Sequence, residues 1–266
     1  YFLRIFSIVT STVNIFILSL SNEKKRRRSS ADECARYGLS CMWVDAINYR
    51  EESTVDIVSC YEPTIRAINK NRYLSPAEIA CALGHQCIYQ HIIEQQLSYA
   101  VVLEDDFKWQ ADPRSLFANL DEIAAHTQFD VLLLGYVKIL PEDLPYHYQR
   151  LPLQHQYRCA NYVFGQPWQQ FSCGTVAYVV SLTGAKKLLQ NKIHVTADDW
   201  LYFERSRQVV IMHLRPLLVL EKTREFVSSI RKEKSDYLRI KKSSRCIRYA
   251  KGMIKNFVMN QLGYRP

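Results

Sequence analysis

The sequence predicts an α/β fold in which a mostly parallel central sheet is flanked by helices. Residues 13–47 open with a strand–helix–strand pattern, which favours parallel strands joined by a right-handed crossover. Two further apolar runs, at residues 100–103 and 129–135, are short and partly β-branched, as buried parallel strands are. Strands and helices therefore alternate along the chain.

Length and glycine content narrow the class further. The 266 residues suffice for one large α/β domain or two small ones. The chain has eight glycines and neither a GxGxxG nor a GxxxxGK[ST] motif, which disfavours a dinucleotide-binding Rossmann domain and a P-loop.

The positive charge is concentrated at the end of the chain. Residues 222–266 carry a net charge of +10, so the rest of the chain is close to neutral at −1. The overall basicity therefore does not predict a nucleic-acid surface on the core, and we expect no nucleic-acid partner.

The cysteines and the N-terminal residues indicate the cellular compartment of the protein. None of the eight cysteines forms a CxxC pair, and Cys81 and Cys173 fall in predicted buried elements as free thiols. With no Asn-x-Ser/Thr sequon, this favours a reducing, cytosolic setting. Residues 1–20 are apolar but contain Arg4 and several polar residues, so we expect an N-terminal extension rather than a signal or membrane anchor.

The opening unit has clear boundaries. Residues 13–20 read as the first strand, Ser21 or Asn22 can cap a helix over 23–37, and Gly38 is a natural stop before a strand over 40–47. The basic run at 24–28 suits a solvated helix face, although an arginine near the strand end can also reach a phosphate.

A strong helix start follows at Ser75-Pro76-Ala77-Glu78, which combines a capping box with proline at the first helical position. The helix is expected to continue to about Gln96. It contains His85, and a single helical histidine is more often a satisfied structural residue than a ligand.

Three consecutive carboxylates, Glu104, Asp105 and Asp106, follow the buried strand at 100–103. Ligands of open α/β sheets collect at the carboxyl ends of strands. Glu104 and Asp106 point to the same side of an extended chain, and two such oxygens suit Mg²⁺ or Mn²⁺ shared with a diphosphate. An acidic loop without a metal is an equally good interpretation of the pattern.

Residues 140–172 are rich in proline and aromatic residues and have no helical or strand period. They suit either an aromatic loop that binds sugar rings or a loop packed by its own aromatic side chains. A strand over 171–181 and a helix over 184–191 lead to a second acidic pair, Asp198-Asp199, and residues 209–220 are β-rich and contain His213.

In residues 231–266 basic and apolar residues alternate. A basic amphipathic helix at an anionic membrane surface is one interpretation, and a helix packed on the domain is the other. We expect peripheral membrane contact.

The segments 72–85 and 99–106 together resemble the signature of glycosyltransferase family 25, the bacterial lipooligosaccharide β-galactosyltransferases and the related collagen galactosyltransferases. Residues 129–135, 174–189 and 198–200 resemble further parts of the family, and the likeness spans about residues 13–230. Gly84 stands where the family usually has serine, and Asn48 stands where it usually has aspartate.

The resemblance implies a GT-A-like, Rossmann-related domain, which we assign to residues 1–230. The basic C-terminal helical tail over 231–266 is predicted from its composition and is not part of the family signature. It implies an inverting transfer of a sugar, most often galactose, from a UDP-sugar to lipooligosaccharide, lipopolysaccharide or a related glycan, with Mn²⁺ or Mg²⁺ as cofactor. Glu104, Asp106 and His213 become the metal residues, and Asp199 or Asp198 becomes the catalytic base. The implied donor-binding residues are Leu20, Arg27, Asn48, Glu78, His85, Asp105, Gly174 and Thr175.

Two other functions stay open on the sequence. The same acids suit a metal-dependent nucleotidyl or phosphoryl transferase, and the departures at Asn48 and Gly84 suit a non-catalytic glycan-binding relative. For the enzyme, we expect a cytoplasmic protein peripheral to the cytoplasmic face of the bacterial inner membrane.

Overall fold

The structure is a computed structural model that describes residues 13–222, 225–226 and 257–265. It confirms the α/β class, with a large central sheet flanked by helices. The strands are β1 Asn14–Ser19, β2 Met42–Asp45, β3 Tyr99–Glu104, β4 Phe107–Trp109, β5 Val131–Leu133, β6 Gly135–Tyr136, β7 Leu153–Cys159, β8 Tyr162–Pro167, β9 Ala177–Ser181, β10 Ile211–Arg215, β11 Val219–Glu221 and β12 Tyr264–Arg265. The helices are α1 Lys24–Ala35, α2 Thr54–Ser59, α3 Ile65–Asn69, α4 Pro76–Glu94, α5 Arg114–Phe117, α6 Leu120–Thr127, α7 Leu144–Arg150, α8 Leu182–Leu188 and α9 Trp200–Arg207.

The nine-stranded sheet has the order β12-β7-β8-β10-β5-β9-β3-β1-β2. The sheet is mixed rather than mostly parallel as predicted, because β9 and the hairpin β7–β8 add antiparallel pairs. Its parallel end is formed by β1, which pairs in parallel with both β2 and β3. Strand β9 runs antiparallel between β3 and β5, and β5 and β10 are again parallel. The carboxyl ends of β1, β2 and β3 consequently meet at one edge, where the α/β rule places ligands.

The sheet is held between two apolar layers. Residues 100–103 are fully buried, with alternate side chains in the clusters on either face of the sheet, as their continuous apolar pattern requires. The predicted helix start is confirmed at α4. The Ser75 side chain accepts from the Glu78 backbone N–H, and the Glu78 side chain accepts from the Ser75 backbone N–H.

A three-stranded sheet of order β4-β11-β6 continues beyond the acidic triplet. Strand β3 ends at Glu104, and β4 begins at Phe107. Asp105 and Asp106 therefore occupy the junction between two sheets, and this is why these carboxylates are buried rather than exposed in a loop.

The region after residue 140 differs from the expectation of an irregular loop. It contains α7 and the antiparallel hairpin β7–β8, which extends the large sheet. Tyr162 and Phe164 are buried in its core. These aromatic side chains form core packing, so they are not a sugar platform.

The cysteine expectation is correct in part. Cys81 and Cys173 are free thiols, but Cys34 and Cys41 form a disulfide between the end of α1 and the start of β2. Because disulfides are rare in reducing compartments, the cysteines taken together do not favour a cytosolic setting.

The two chain ends fall largely outside the described residues. The predicted N-terminal extension over 1–12 and most of the predicted tail, residues 231–256 and 266, lie there. The described part of the tail, 257–265, contains a short helix, and β12 pairs with β7 at the sheet edge. Among the described residues, no helix has both the length and the apolar content needed to cross a membrane.

Candidate functional site

The acidic triplet is held by the first strand and the first helix. The Ser19 hydroxyl, at the end of β1, donates to Asp105 Oδ2 over 2.6 Å. Arg26, on α1, forms ion pairs with both Asp105 and Asp106. The strand–helix–strand opening thus delivers both a donor and a counter-charge to the end of β3.

Asp105 and Asp106 differ in how many of their carboxylate oxygens have a hydrogen-bond partner. Both oxygens of the Asp105 carboxylate are engaged, by Arg26 and Ser19. Asp106 Oδ2 lies 3.2 Å from an Arg26 nitrogen, whereas its buried Oδ1 has no hydrogen-bond partner. Burial and then the charge of Glu104 raise the pKa of Asp106, and Arg26 opposes them. Such a carboxylate is stabilised in its charged form by a cation at Oδ1.

Glu104 is linked to α4 and to the turn before β9. The Thr175 hydroxyl donates to Glu104 Oε1, and His85 Nε2 lies 3.8 Å from the same oxygen. Burial alone raises the pKa of Glu104, but the nearby His85 ring and the bond from Thr175 bring it below its ordinary value. Glu104 is therefore the member of the Glu104–Asp106 pair that keeps its charge more readily.

His85 is fixed from its other side. Its Nδ1 lies 2.8 Å from the Tyr178 hydroxyl, which in turn contacts the Tyr89 hydroxyl at 2.9 Å. Nε2 is buried and has no hydrogen-bond partner. Ligand atoms of Cys81, His85 and Glu104 all lie within 4.8 Å of one another.

The second acidic pair, Asp198-Asp199, is linked to Glu104 through the turn before β9. The Gly174 backbone N–H donates to Asp198 Oδ2 over 3.3 Å, next to the Thr175 that binds Glu104. Burial and then the charges of Glu104 and Asp198 raise the pKa of the Cys81 thiol. Asp199 caps α9 by accepting from the Tyr202 backbone at 3.2 Å.

Gly174 is required for this turn. Its φ is +84°, and a Cβ atom there would lie 2.2 Å from a methyl carbon of Val137. A side chain at this position would displace the backbone that holds Asp198.

A cavity of about 140 Å³ opens over the first acidic cluster. Its wall includes Leu20, Arg26, Cys81, Glu104, Asp105 and Asp106. The cavity lies at the carboxyl ends of β1 and β3, where the sequence places a ligand site.

The structure brings most of the predicted site residues together. Leu20 and the three acids line the cavity, His85 and Thr175 contact Glu104, and Gly174 holds Asp198. Glu78 lies at the start of α4, where it serves the capping box and lies 3.5 Å from Arg72.

Two predicted donor residues are directed elsewhere. Arg27 donates to the Ser19 and Leu20 carbonyls and pairs with Asp45, so its guanidinium serves the β1–β2 edge. Asn48 Oδ1 accepts from the Arg50 backbone, while its neighbours Ile47 and Tyr49 line the cavity.

His213 is not part of the acidic cluster, contrary to the prediction that it completes the metal shell. It is fully buried on β10, and its Nδ1 and Nε2 lie 2.6 Å from the Tyr136 hydroxyl and 2.8 Å from Gln170 Oε1. Both ring nitrogens are used within the sheet interior, which leaves no ligand atom for a metal.

Three contributors escaped the sequence reasoning. Arg26 rather than Arg27 reaches the acids, Ser19 orients Asp105, and Cys81 lines the cavity. The basic run and the capped α4 helix point to these segments, but the choice among neighbouring side chains depends on how each helix docks.

The donor set fits a divalent cation of the Mn²⁺ or Mg²⁺ type. Glu104 and Asp106 offer carboxylate oxygens, and the unpartnered Asp106 Oδ1 is a buried acceptor that a cation would satisfy. The unpartnered Nε2 of His85 lies beside Glu104, where it can orient this carboxylate from behind the metal position.

Comparison with known proteins agrees with this arrangement. Residues 12–201 match the sequence profile described as "Glycosyltransferase family 25 (LPS biosynthesis protein)". The chain is 25% identical over 187 residues to "Inactive glycosyltransferase 25 family member 3" of Mus musculus, covering 67% of this chain and 29% of that protein. It is 23% identical over 230 residues to "Procollagen galactosyltransferase 2" of Homo sapiens, covering 77% of this chain and 34% of that protein.

The chain thus spans about a third of the length of these two relatives. Among solved structures, apo mouse xyloside xylosyltransferase 1 shares a TM-score of 0.38 and 10% identity, over 75% of this chain and 83% of that one. A likeness this remote does not bear on activity.

Proposed function

The chain belongs to glycosyltransferase family 25, and from this membership and the geometry of the acidic cavity we propose that it transfers a sugar from a UDP-sugar to a glycan acceptor. The proposed donor sugar is galactose, and the proposed acceptor is lipooligosaccharide, lipopolysaccharide or a related glycan. The observation that carries the proposal is the convergence of Glu104, Asp106 and His85 at the carboxyl edge of β1 and β3. Asp198 is linked to them because it bonds Gly174, next to the Thr175 that binds Glu104.

In this proposal Glu104 and Asp106 hold Mn²⁺ or Mg²⁺. The cation, when bound, neutralises charge that develops on the departing UDP. Thr175 and His85 orient Glu104 from outside the coordination shell, an arrangement that fixes ligand geometry. Asp105 has a positioning role, because Ser19 and Arg26 already occupy its oxygens.

Arg26 gives the cavity a second source of positive charge. Its guanidinium pairs with the acids and lines the cavity where a donor diphosphate would lie. Arginine suits phosphate because of its planar set of donors. We therefore assign the phosphate contact predicted for Arg27 to Arg26, and we place Leu20 and Gly174 at the wall and the turn that bound the donor.

The base of an inverting transfer must deprotonate the acceptor hydroxyl opposite the leaving group. Asp198 accepts from the Gly174 N–H, next to the Thr175 that binds Glu104, whereas Asp199 lines a second cavity. Asp199 is accordingly our candidate for the base. Asp198 is our candidate for positioning Asp199.

The proposal is tested with a panel of UDP-sugars, each incubated with Mn²⁺ or with EDTA while UDP release is measured. We expect release from UDP-galactose that EDTA abolishes. Release of pyrophosphate instead of UDP would indicate a nucleotidyl transferase. Equal UDP release with EDTA would contradict the metal assignment.

A non-catalytic sugar-nucleotide-binding relative is the second candidate. The Arg26 ion pairs favour it, because an internal cation already compensates the acids. The mouse relative named inactive makes this outcome worth testing. Calorimetric binding of UDP-galactose without turnover of any donor, with or without added acceptor glycans, would support this candidate over the enzyme.

We also propose peripheral contact with an anionic membrane through residues 231–266, because of their basic and apolar alternation. Removing residues 232–256 should reduce cosedimentation with phosphatidylglycerol vesicles, and unchanged sedimentation would exclude the contact. A cytoplasmic location remains a prediction, and the Cys34–Cys41 disulfide weighs against it.

A further inference from the structure

A second cavity, of about 280 Å³, is lined by Asp199. Its charged lining residues are Arg66, Lys70 and Arg72 against the single carboxylate of Asp199. The acidic cavity has the opposite balance, with Glu23, Glu104, Asp105 and Asp106 against Arg26. The second cavity is therefore base-rich, whereas the first is acid-rich.

The cations of the second cavity are available to a ligand. Arg66 and Lys70 are exposed on and just after α3, and within the described residues no carboxylate lies within ion-pair distance of either. Arg72 is shared, because it lies 3.5 Å from Glu78 Oε1 with its side chain 61% exposed. Two uncompensated cations over a concave surface attract an anion.

The remaining lining suits a sugar. Thr64, Thr196 and His194 provide polar groups, and Tyr61 provides an aromatic side chain. The cavity is fixed to the domain because Tyr61 pairs with Ile193 and the Glu62 carbonyl lies 3.0 Å from His194 Nδ1. Polar groups around an aromatic face are typical of carbohydrate sites.

We propose that this basic cavity binds an anionic group, a phosphate or a carboxylate, of the acceptor glycan. The role as acceptor site rests on the proposed function, whereas the binding of an anionic sugar does not. Asp199 lines the same cavity, so an acceptor anchored by Arg66 and Lys70 presents a hydroxyl near the candidate base. Anchoring through charge orients the acceptor without using the reacting hydroxyl.

The test measures the binding of glucose 6-phosphate, glucuronate and glucose to the full chain in EDTA, which removes any metal-bridged binding at the acidic cavity. We expect both anions, or one of them, to bind at least about tenfold more tightly than glucose, since each charge-assisted contact is worth roughly that factor. The anion that binds more tightly identifies phosphate or carboxylate as the preferred group.

The matched variants are Arg66→Gln/Lys70→Gln and, as control, Lys186→Gln/Arg205→Gln, whose exposed cations lie on α8 and α9 away from both cavities. The first pair should lose about tenfold or more in anion affinity, and the control should stay within about twofold. Thermal melting checks that both variants are folded. Equal binding of glucose and the two anions, or unchanged affinity in Arg66→Gln/Lys70→Gln, would overturn the inference.

The outcome is separable from that of the proposed function. Anion binding lost in Arg66→Gln/Lys70→Gln, in a protein that turns over no UDP-sugar, would support the cavity and reject the enzyme. UDP-sugar turnover with no preference for anionic sugars would support the enzyme and reject the cavity.

Discussion

His85 and His213 are both buried imidazoles with a tyrosine hydroxyl at Nδ1, yet their surroundings give them different chemistry. His85 is 1% exposed and directs an unpartnered Nε2 toward Glu104. His213 is fully buried, and its Nε2 is taken by Gln170. Residue type and burial therefore do not identify a histidine of the site, whereas an unused ring nitrogen beside a carboxylate does.

The charged groups around His85 and His213 also differ. The His213 region also contains Arg215, which donates to the Tyr136 hydroxyl and lies over the Tyr136 and Tyr148 rings. Burial first, and then the charge of Arg215, lower the pKa of His213 well below its ordinary value. His213 is thus a neutral member of a closed network, whereas His85 borders an open, acidic cavity.

The largest expected effect is at Asp106, the second carboxylate of the proposed metal pair. Asp106→Asn should reduce UDP release by about a thousandfold or more, because it removes a charged metal ligand from the site of charge development. Melting temperature should not fall, since the ionised carboxylate is costly where it lies. Asp112→Asn, at an exposed aspartate paired with Arg114, is the control. Turnover within about tenfold of the wild type would remove Asp106 from the metal site.

His85→Gln should have the next largest effect on activity. Loss of a group that orients a metal ligand typically costs about 10–100-fold, so UDP release should fall by that factor and the Mn²⁺ concentration for half-maximal rate should rise. His91→Gln, on the exposed side of the same helix, is the matched control. If both variants behave alike, His85 has no role at Glu104.

His213→Gln should instead affect stability. It disturbs buried bonds to Tyr136 and Gln170, so the free energy of unfolding in urea should fall by about 1–2 kcal/mol. Turnover per folded molecule and the Mn²⁺ response should remain within about threefold of the wild type. A selective loss of the Mn²⁺ response, with unfolding unchanged, would return His213 to the metal shell.

The pH dependence of stability provides the smallest effect. The folded state keeps His213 neutral, while the unfolded chain binds a proton at a pKa of about 6.5. The contribution of His213 is therefore complete above that pH and is lost as the pH falls, by at most about 1.4 kcal/mol per pH unit. Unfolding measured from pH 7.5 to 5 should show a shallower loss in His213→Gln. Parallel curves for the two proteins would contradict the assignment.

Local patterns were sufficient for the elements that frame the site. The strand before Ser19, the capping box of α4 and the buried strand before Glu104 are each encoded within a few residues, and all three are confirmed. The hairpin β7–β8 was not predicted, because its pattern is interrupted by a register shift between His155 and Tyr157. An irregular strand has no period for sequence reasoning to detect.

The roles of individual side chains in the site depended on how the helices pack on the sheet. Arg26 and Arg27 are adjacent on α1, but successive helical residues point about 100° apart, so only the placement of the helix on the sheet decides which one reaches the acids. Cys34 and Cys41 are brought together by the same placement.

By itself, the sequence determined the α/β class, the position of the acidic triplet after a buried strand, and a motif combination that identifies the family. These depend on local periodicity and on capping, which act over one element. Only the tertiary structure decided that Arg26 compensates the acids, that His85 has a free nitrogen and His213 does not, and that Asp199 lines a basic cavity distinct from the acidic one. Each of these depends on groups far apart in the chain, whose distance is set by how the helices pack on the sheet.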